Sequence, residues 1–315
     1  MKKQFISSLH DGDKLSSEQF VVKSIRQEKT KAGRDYVDLV LGDKTGEISG
    51  KIWEDSLGGY ESVKSGDVVM VSGTVGSYRD KLQLTVTFLQ KATKFDLSDF
   101  LKHTQRNIDE LWATLEDAAE EIENKDLARL LKFFIKDEAF ATEFKACPAG
   151  VTMHHDYIGG LLEHTVEMLN FSKAVLAEYS DIDASLLTSG IILHDIGKLE
   201  EYTVDNAIRR TTLGNLIGHT VLGALRVSNA MAEIKNFPKE TNRKLLHMMI
   251  SHHGHLEFGS PVRPMTREAV ALYFLDNSSA KLNTVTKDIR EALAIDPEQE
   301  FSEYNRGLET RLYLR

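Results

Sequence analysis

Two periodicities divide the chain. Up to about residue 90, apolar and polar positions alternate in short runs: "QFVVKSIRQ" (19–27), "DYVDLVL" (35–41), "EISGKIW" (47–53), "DVVMVSGTV" (67–75) and "KLQLTVTFL" (81–89). Runs of this length, rich in β-branched and aromatic residues, predict strands with one buried face. The intervening "KAGRD", "GDKTGE" and "KSGD" supply turn residues. Five strands in so short a stretch predict a small closed barrel. A polar stretch follows, "KATKFDLSDFLKHTQRN" (91–107), which reads as a linker. Beyond it the period becomes helical. In "IDELWATLEDAAEEIENKDLARLLKFFIKDEAFATEFKAC" (108–147), Leu111, Leu115, Ala118 and Ile122 fall on one face, and the acidic residues form a solvated surface.

From Gly159 onward the apolar segments remain helical: "GGLLEHTVEMLNFSKAVLAEY", "ASLLTSGIILHDIG", "LIGHTVLGALRVSNAMAEI", "ETNRKLLHMMISHHG" and "REAVALYFLDNSSAKLNTVTKDI". They predict an all-α domain of seven or eight helices with no further strand. There is no internal repeat and no low-complexity tract, and the tail after Pro297 carries no pattern. The expected organisation is multi-domain: a small all-β barrel over 1–95, a linker and helical lead-in over 96–150, and an all-α domain over 151–315.

Composition narrows the class. The 315 residues are 41% hydrophobic, enough for a sizeable core, with no bias toward disorder. The start lacks the run of about 7 to 15 apolar residues of a leader, and no window approaches the roughly 18 needed to cross a bilayer. A soluble cytoplasmic protein without membrane association is expected. The single cysteine, Cys147, can form no internal disulfide and fits no C-x-x-C pattern, so it reads as a packing residue. The net charge of −9 is uneven: residues 1–95 hold 15 Lys+Arg against 13 Asp+Glu, and the remainder 24 against 35. A mildly basic module on an acidic one could present an anionic polymer to a site that holds its own cations, and ordinary solvated faces explain the charge equally well.

The five-stranded barrel of this size is the OB-fold, whose exposed face takes up single-stranded nucleic acid, often on aromatic side chains. "GRDYVDLVLGDKTGEISGKIWED" (33–55) resembles the strand, turn and strand of nucleic-acid-binding OB domains. It places Tyr36, Lys51 and Trp53 where they could face a strand. The competing reading puts the aromatics in the barrel core.

Nine of the eleven histidines lie between His154 and His255, a span of 102 residues where even spacing would place fewer than four. His164 sits inside an apolar helix, and "IILHDIGKLEEY" runs from apolar residues straight into His194 and Asp195. His219 lies in "LIGHTVLGA", His252 and His253 in "MMISHHG", and Asp276 in "ALYFLDNSS". A lone polar group in such positions is disfavoured, whereas a shared ligand set is satisfied. Imidazole and carboxylate donors without thiolates suit Mn, Fe, Co, Ni or Zn in an open site rather than a structural zinc. A divalent ion there would turn bound water into a nucleophile near neutral pH and polarise a phosphoryl oxygen, the chemistry of phosphate-ester hydrolysis.

The set "HHDYIGGLLEHT", "LHDIGK", "GH", "SHHG" and the later "LD" resembles the HD-domain metal-dependent phosphohydrolases. That resemblance implies His164, His194, Asp195 and Asp276 as the primary metal ligands, at separations of 30 and 81 residues between successive helices. His219, His252 and His253 match positions that hold a second ion in two-metal members, with Asp195 bridging. With one ion only, these imidazoles would bind phosphate or act as general acid. Lys198 suits a phosphate contact or leaving-group stabilisation, and otherwise reads as a lysine favoured near a helix C-terminus. His154 and His155 are expected to line the substrate entrance. His247 and His255 read as ordinary histidines.

An HD domain alone leaves the substrate open among nucleotides, cyclic dinucleotides and alarmones. The barrel ahead of it, together with "EFGSPVRPMTREA", resembles the YhaM-type 3′→5′ exoribonucleases along nearly the whole chain. That likeness implies removal of nucleotides one at a time from the 3′ end of single-stranded RNA, and also of DNA as a candidate substrate. The implied cofactor is one or two divalent ions, Mn foremost, with Co, Fe, Ni or Mg as alternatives. A homo-oligomer is compatible with all of this. The barrel would grip the strand while the terminal phosphodiester meets the metal. One position departs from the family: where members usually read "DNLDAK", this chain has "DNSSAK" (276–281), so Ser279 replaces a second aspartate. A phosphohydrolase of free nucleotides, and a binding protein with a degenerate HD site, remain as alternatives.

Overall fold

The computed structural model describes residues 2–30, 32–56, 58–79, 81–151 and 154–315. Two compact units result, one of Met1–His103 with Val204–Ile208, the other of Thr104–Thr203 with Arg209–Arg315.

In the first unit, β1 (Lys14–Lys29), β2 (Asp35–Asp43), β3 (Gly46–Trp53), β4 (Val68–Tyr78) and β5 (Lys81–Lys91) close into a barrel in the order β1-β2-β3-β5-β4. Every neighbouring pair is antiparallel except β3 and β5. This is the OB-fold. β1 starts earlier than its sequence run and serves two neighbours, pairing with β4 over Lys14–Val21 and with β2 over Val21–Lys29. Register shifts at Leu15/Glu18 and Val22/Ser24 mark the bends that allow one strand to do both. The alternation is obeyed: Phe20, Val37, Leu39, Leu41, Ile48, Ile52, Val71 and Leu84 fill the barrel. Their neighbours along each strand therefore point outward.

Residues 91–107, read as a linker, hold one short 3-10 turn, Leu97–Asp99. Asp96 caps that turn through the Ser98 N–H at 3.0 Å, and Phe100 and Leu101 are buried, Phe100 in a small cluster with Val21 and Val68.

The second unit begins with the long acidic helical stretch, which side-chain caps cut into three helices. Asn107, Asn124 and Asp137 each accept backbone N–H groups of the following turn, starting α1 (Ile108–Glu120), α2 (Lys125–Ile135) and α3 (Glu138–Ala146). Then come α4 (Gly160–Glu178), α5 (Ala184–Leu193), α6 (Lys198–Glu201), the strands β6 (Tyr202–Val204) and β7 (Ile208–Arg210), α7 (Thr212–Ile217), α8 (His219–Glu233), α9 (Lys239–Ser251) and α10 (Arg267–Ile295). The β6–β7 pair corrects the expectation of no further strand: three residues per strand are too short to leave a period-2 signal.

One core joins α1–α5 and α8–α10, with Leu115, Leu130, Phe144, Leu162, Ile192, Val227, Met248 and Leu272 among its members. α5 lies at its centre. Leu186, Leu187, Ile191, Ile192 and Leu193 are all buried, so the helix is apolar on every side and can tolerate polar groups only at its end. Among the described residues, no helix is long and apolar enough to cross a membrane.

Candidate metal centre

The end of α5 is where the chemistry begins. His194 caps that helix, Asp195 follows, and Lys198 opens α6. His164 projects from the buried side of α4, His219 is the first residue of α8, His252 caps α9 with His253 after it, and Asp276 lies in α10. The glycine of "HDIGK" is required by the packing. A Cβ on Gly197 would stand 2.0 Å from the His219 carbonyl oxygen and 2.5 Å from the Gly223 nitrogen, so only glycine lets the Asp195 turn seat against the start of α8.

Asp195 is the hub. Its Oδ2 lies 3.2 Å from His194 Nε2, 4.0 Å from His164 Nε2 and 2.5 Å from Lys198 Nζ. Its Oδ1 faces the other way, 3.4 Å from His219 Nε2 and 3.7 Å from His252 Nε2. Asp276 Oδ1 stands 3.2 Å from His164 Nε2, and His253 Nε2 is 3.2 Å from His219 Nε2. Two sets therefore flank one carboxylate: His164, His194 and Asp276 on one side, His219, His252 and His253 on the other, each compact enough to hold a metal ion.

The hydrogen bonds on the far ring nitrogens fix what the near ones can do. His194 Nδ1 faces the Ile191 carbonyl at 2.8 Å, His252 Nδ1 the Met249 carbonyl at 2.6 Å, and His253 Nδ1 the Phe258 carbonyl at 3.0 Å. His219 Nδ1 faces the Glu201 carboxylate at 2.7 Å. Carbonyls and carboxylates only accept, so each Nδ1 carries the proton and each Nε2 presents a lone pair. His164 follows by one further step. The Ser279 hydroxyl donates its only proton to Glu167 at 2.7 Å, so at 2.9 Å from His164 Nδ1 it must accept. Four of these lone pairs, on His164, His194, His219 and His252, thus point at carboxylate oxygens with no hydrogen between them, and the fifth, on His253, faces His219 Nε2. His164 Nε2, His194 Nε2, His252 Nε2 and Asp195 Oδ1 are buried and make no hydrogen bond among the described residues. Orphaned acceptors in this number are unfavourable unless a cation joins them. The donor set fits a divalent metal.

The electrostatics agree. Burial and the neighbouring imidazoles hold His252 and His253 below the usual histidine range, and burial does the same to His164 despite Asp276. These rings stay neutral, as ligands must. Burial would push the Asp195 carboxyl up, but the Lys198 ammonium and His194 more than offset it and hold it well below the carboxylate range. His194 is raised: burial opposes its charge, and Asp195 and Asp276 outweigh that. The field that favours a proton there favours a cation.

Not every expected residue takes its expected place. Lys198 is buried at the start of α6 and paired with Asp195, so it is neither an exposed lysine at a helix C-terminus nor a free cation. His155, expected at the substrate entrance, is 0% exposed. His154 is partly buried, its ring 5.5 Å from that of His164. His247 accepts the Met265 N–H at 2.8 Å, and His255 lies 3.2 Å from the Tyr273 hydroxyl, both outside the two sets. Sequence reading missed Glu201, buried behind His219, because a glutamate in "KLEEY" carries no spacing signal. It also left Ser279 without a role. Ser279 holds His164.

On the barrel, Tyr36, Lys51 and Trp53 come together on the outside. Tyr36 is the cross-strand partner of Trp53, with ring centroids 5.5 Å apart, and Lys51 Nζ lies 4.5 Å above the Tyr36 ring. Val37 and Ile52, their neighbours, occupy the core, which settles the inward or outward question. Trp53 is exposed, and Ser49 and Gln83 extend the polar part of this face.

The family model described as an HD domain matches residues 161–281, and one described as an OB-fold nucleic acid binding domain matches residues 21–92. A solution structure of the second OB-fold domain of replication protein A from Methanococcus maripaludis aligns with 30% of this chain and 99% of its own, at 26% identity and a TM-score of 0.24. The 3′-5′ exoribonuclease YhaM of Bacillus subtilis (strain 168) is 31% identical over 282 residues, 89% of either chain. That of Halalkalibacterium halodurans is 31% identical over 307 residues, 96% of this chain and 93% of its own. With both domains present and the likeness running through each of them, the chain belongs to the 3′-5′ exoribonuclease YhaM family.

Proposed function

We propose that this protein is a metal-dependent 3′→5′ exoribonuclease that hydrolyses single-stranded RNA, using manganese as its working ion. The observation that carries the reading is the division of Asp195 between two histidine sets with unpaired Nε2 atoms. His164, His194, Asp195 and Asp276 would hold one ion; Asp195, His219, His252 and His253 would hold a second. A divalent ion, when bound, lowers the pKa of water and polarises the phosphoryl oxygen. The protein's own part is orientation and charge. Five Nδ1 hydrogen bonds hold the imidazoles in the ligand tautomer before any ion arrives. Lys198, buried and paired with Asp195, fixes that carboxylate and keeps it charged as the ligand between the two sets. Tyr36 and Trp53 give stacking surfaces for bases and Lys51 a phosphate contact. Polarity of digestion rests on the family relationship. The outward aromatic pair favours a strand over a free nucleotide as substrate.

The test uses RNA labelled separately at each end, incubated with the purified protein and Mn²⁺. Expected are 3′-shortened ladders that retain the 5′ label, lost with EDTA and with Asp195→Ala. Intact RNA with metal-loaded protein, or turnover of free nucleotides in its place, would overturn the reading.

A further inference from the structure

A third group of ligand atoms, from α4 and the turn that precedes it, lies outside both sets. His155, Glu163 and Glu167 bring one donor atom each within 4.8 Å of one another. Glu163 and Glu167 are one turn apart on the same face, where two carboxylates repel. The third member is unusual. His155 is 0% exposed, neither of its ring nitrogens makes a hydrogen bond among the described residues, and its Nε2 lies 3.3 Å from Glu167 Oε2. A fully buried imidazole with two unsatisfied nitrogens is unfavourable unless something occupies the space it faces.

The ring is held there by its backbone. His155 has φ 47°, its N–H donates to Asn283 Oδ1 at 2.9 Å, and its carbonyl accepts the Ala149 N–H at 3.1 Å. Gly160 closes around it: a Cβ at that position would lie 2.1 Å from the His155 carbonyl oxygen. The carboxylates are oriented as well, Glu167 by the Ser279 hydroxyl at 2.7 Å and Glu163 by the Thr104 hydroxyl.

We propose that His155, Glu163 and Glu167 form a third divalent-cation site, separate from the two sets around Asp195. One imidazole and two carboxylates suit Mn²⁺ or a neighbouring first-row ion, and the ion neutralises the paired glutamates. The site is wired to the centre. Ser279 donates to Glu167 and accepts from His164 Nδ1, so the third ion, by fixing Glu167, steadies a ligand of the first set. The proposal goes beyond the exonuclease reading and does not depend on the substrate.

The test is Mn²⁺ binding to the full, chelator-stripped chain, followed through the free-ion EPR signal, with anomalous diffraction at the manganese edge from crystals of the wild-type protein. The expected result is three ions per chain, two with E163Q/E167Q, and an anomalous peak between His155 and the two glutamates. Should the double variant fail to fold, the wild-type map alone decides. Peaks around Asp195 with none at His155 would overturn the proposal. Equal stoichiometry in the wild type and a folded E163Q/E167Q would do the same. Peaks missing around Asp195 would count against the exonuclease reading instead.

Discussion

Ser279 Oγ stands 2.9 Å from His164 Nδ1 and 2.7 Å from Glu167 Oε2, so one hydroxyl holds a metal-site imidazole on one side and a carboxylate on the other. A second buried carboxylate so close to Glu167 would add repulsion, whereas serine supplies the acceptor that His164 needs without it. Ser279→Ala removes that acceptor and leaves the His164 ring free to turn. The expected result is a loss of about 10- to 100-fold in Mn²⁺ affinity with the fold intact. Activity against Mn²⁺ concentration, with a circular dichroism spectrum alongside, measures it; unchanged affinity would remove Ser279 from the site.

Glu201 does for His219 what Ser279 does for His164, at 2.7 Å from Nδ1. Glu201→Gln keeps the shape and can present its amide oxygen, but loses the charge that favours the Nδ1–H tautomer. A shift of about tenfold or more in the Mn²⁺ requirement is expected, together with reduced kcat. Binding isotherms for the variant and the wild type compare directly.

Metal binding should be visible as stability. Ligand atoms that are orphaned in the bare protein gain partners only in the folded state, so Mn²⁺ at about 100 times its Kd should add roughly 2.7 kcal/mol. A thermal midpoint that rises by several degrees with Mn²⁺, and returns with EDTA, is the expected outcome. In His194→Ala the increment should shrink markedly. A midpoint indifferent to the metal in wild-type protein would contradict the assigned ligand set.

On the barrel, Trp53→Ala should weaken binding of single-stranded RNA by about 1–3 kcal/mol. Fluorescence anisotropy in EDTA separates binding from cleavage. Val37→Ala on the inward face should act differently, lowering stability rather than RNA affinity per folded molecule. Equal affinities for Trp53→Ala and wild type would move the binding surface elsewhere.

Gly197→Ala tests the turn. The added methyl would meet the His219 carbonyl at 2.0 Å, so the turn or α8 must move, at a cost of about 3 kcal/mol. Both the melting temperature and the metal affinity should fall, because the same contact seats Asp195 and His219.

Much of the architecture was legible along the chain. Alternation marked all five strands of the barrel, and apolar helices ending in His194 and His252 or carrying Asp276 within them marked the chemistry, because buried polar residues need partners. Periodicity reports which residues share a face of one element. It carries no information about which atoms of different elements meet. Only the tertiary structure decided that Asp195 turns one oxygen to each histidine set, that Ser279 and Glu201 fix the tautomers of His164 and His219, and that Tyr36 and Trp53 stack outside the barrel. It also moved His155 from an expected entrance into the interior, where the close approach of Gly160 to its carbonyl holds the ring against two glutamates. Distances between helices far apart in sequence are set by how their side chains fill one core, and no local pattern encodes them.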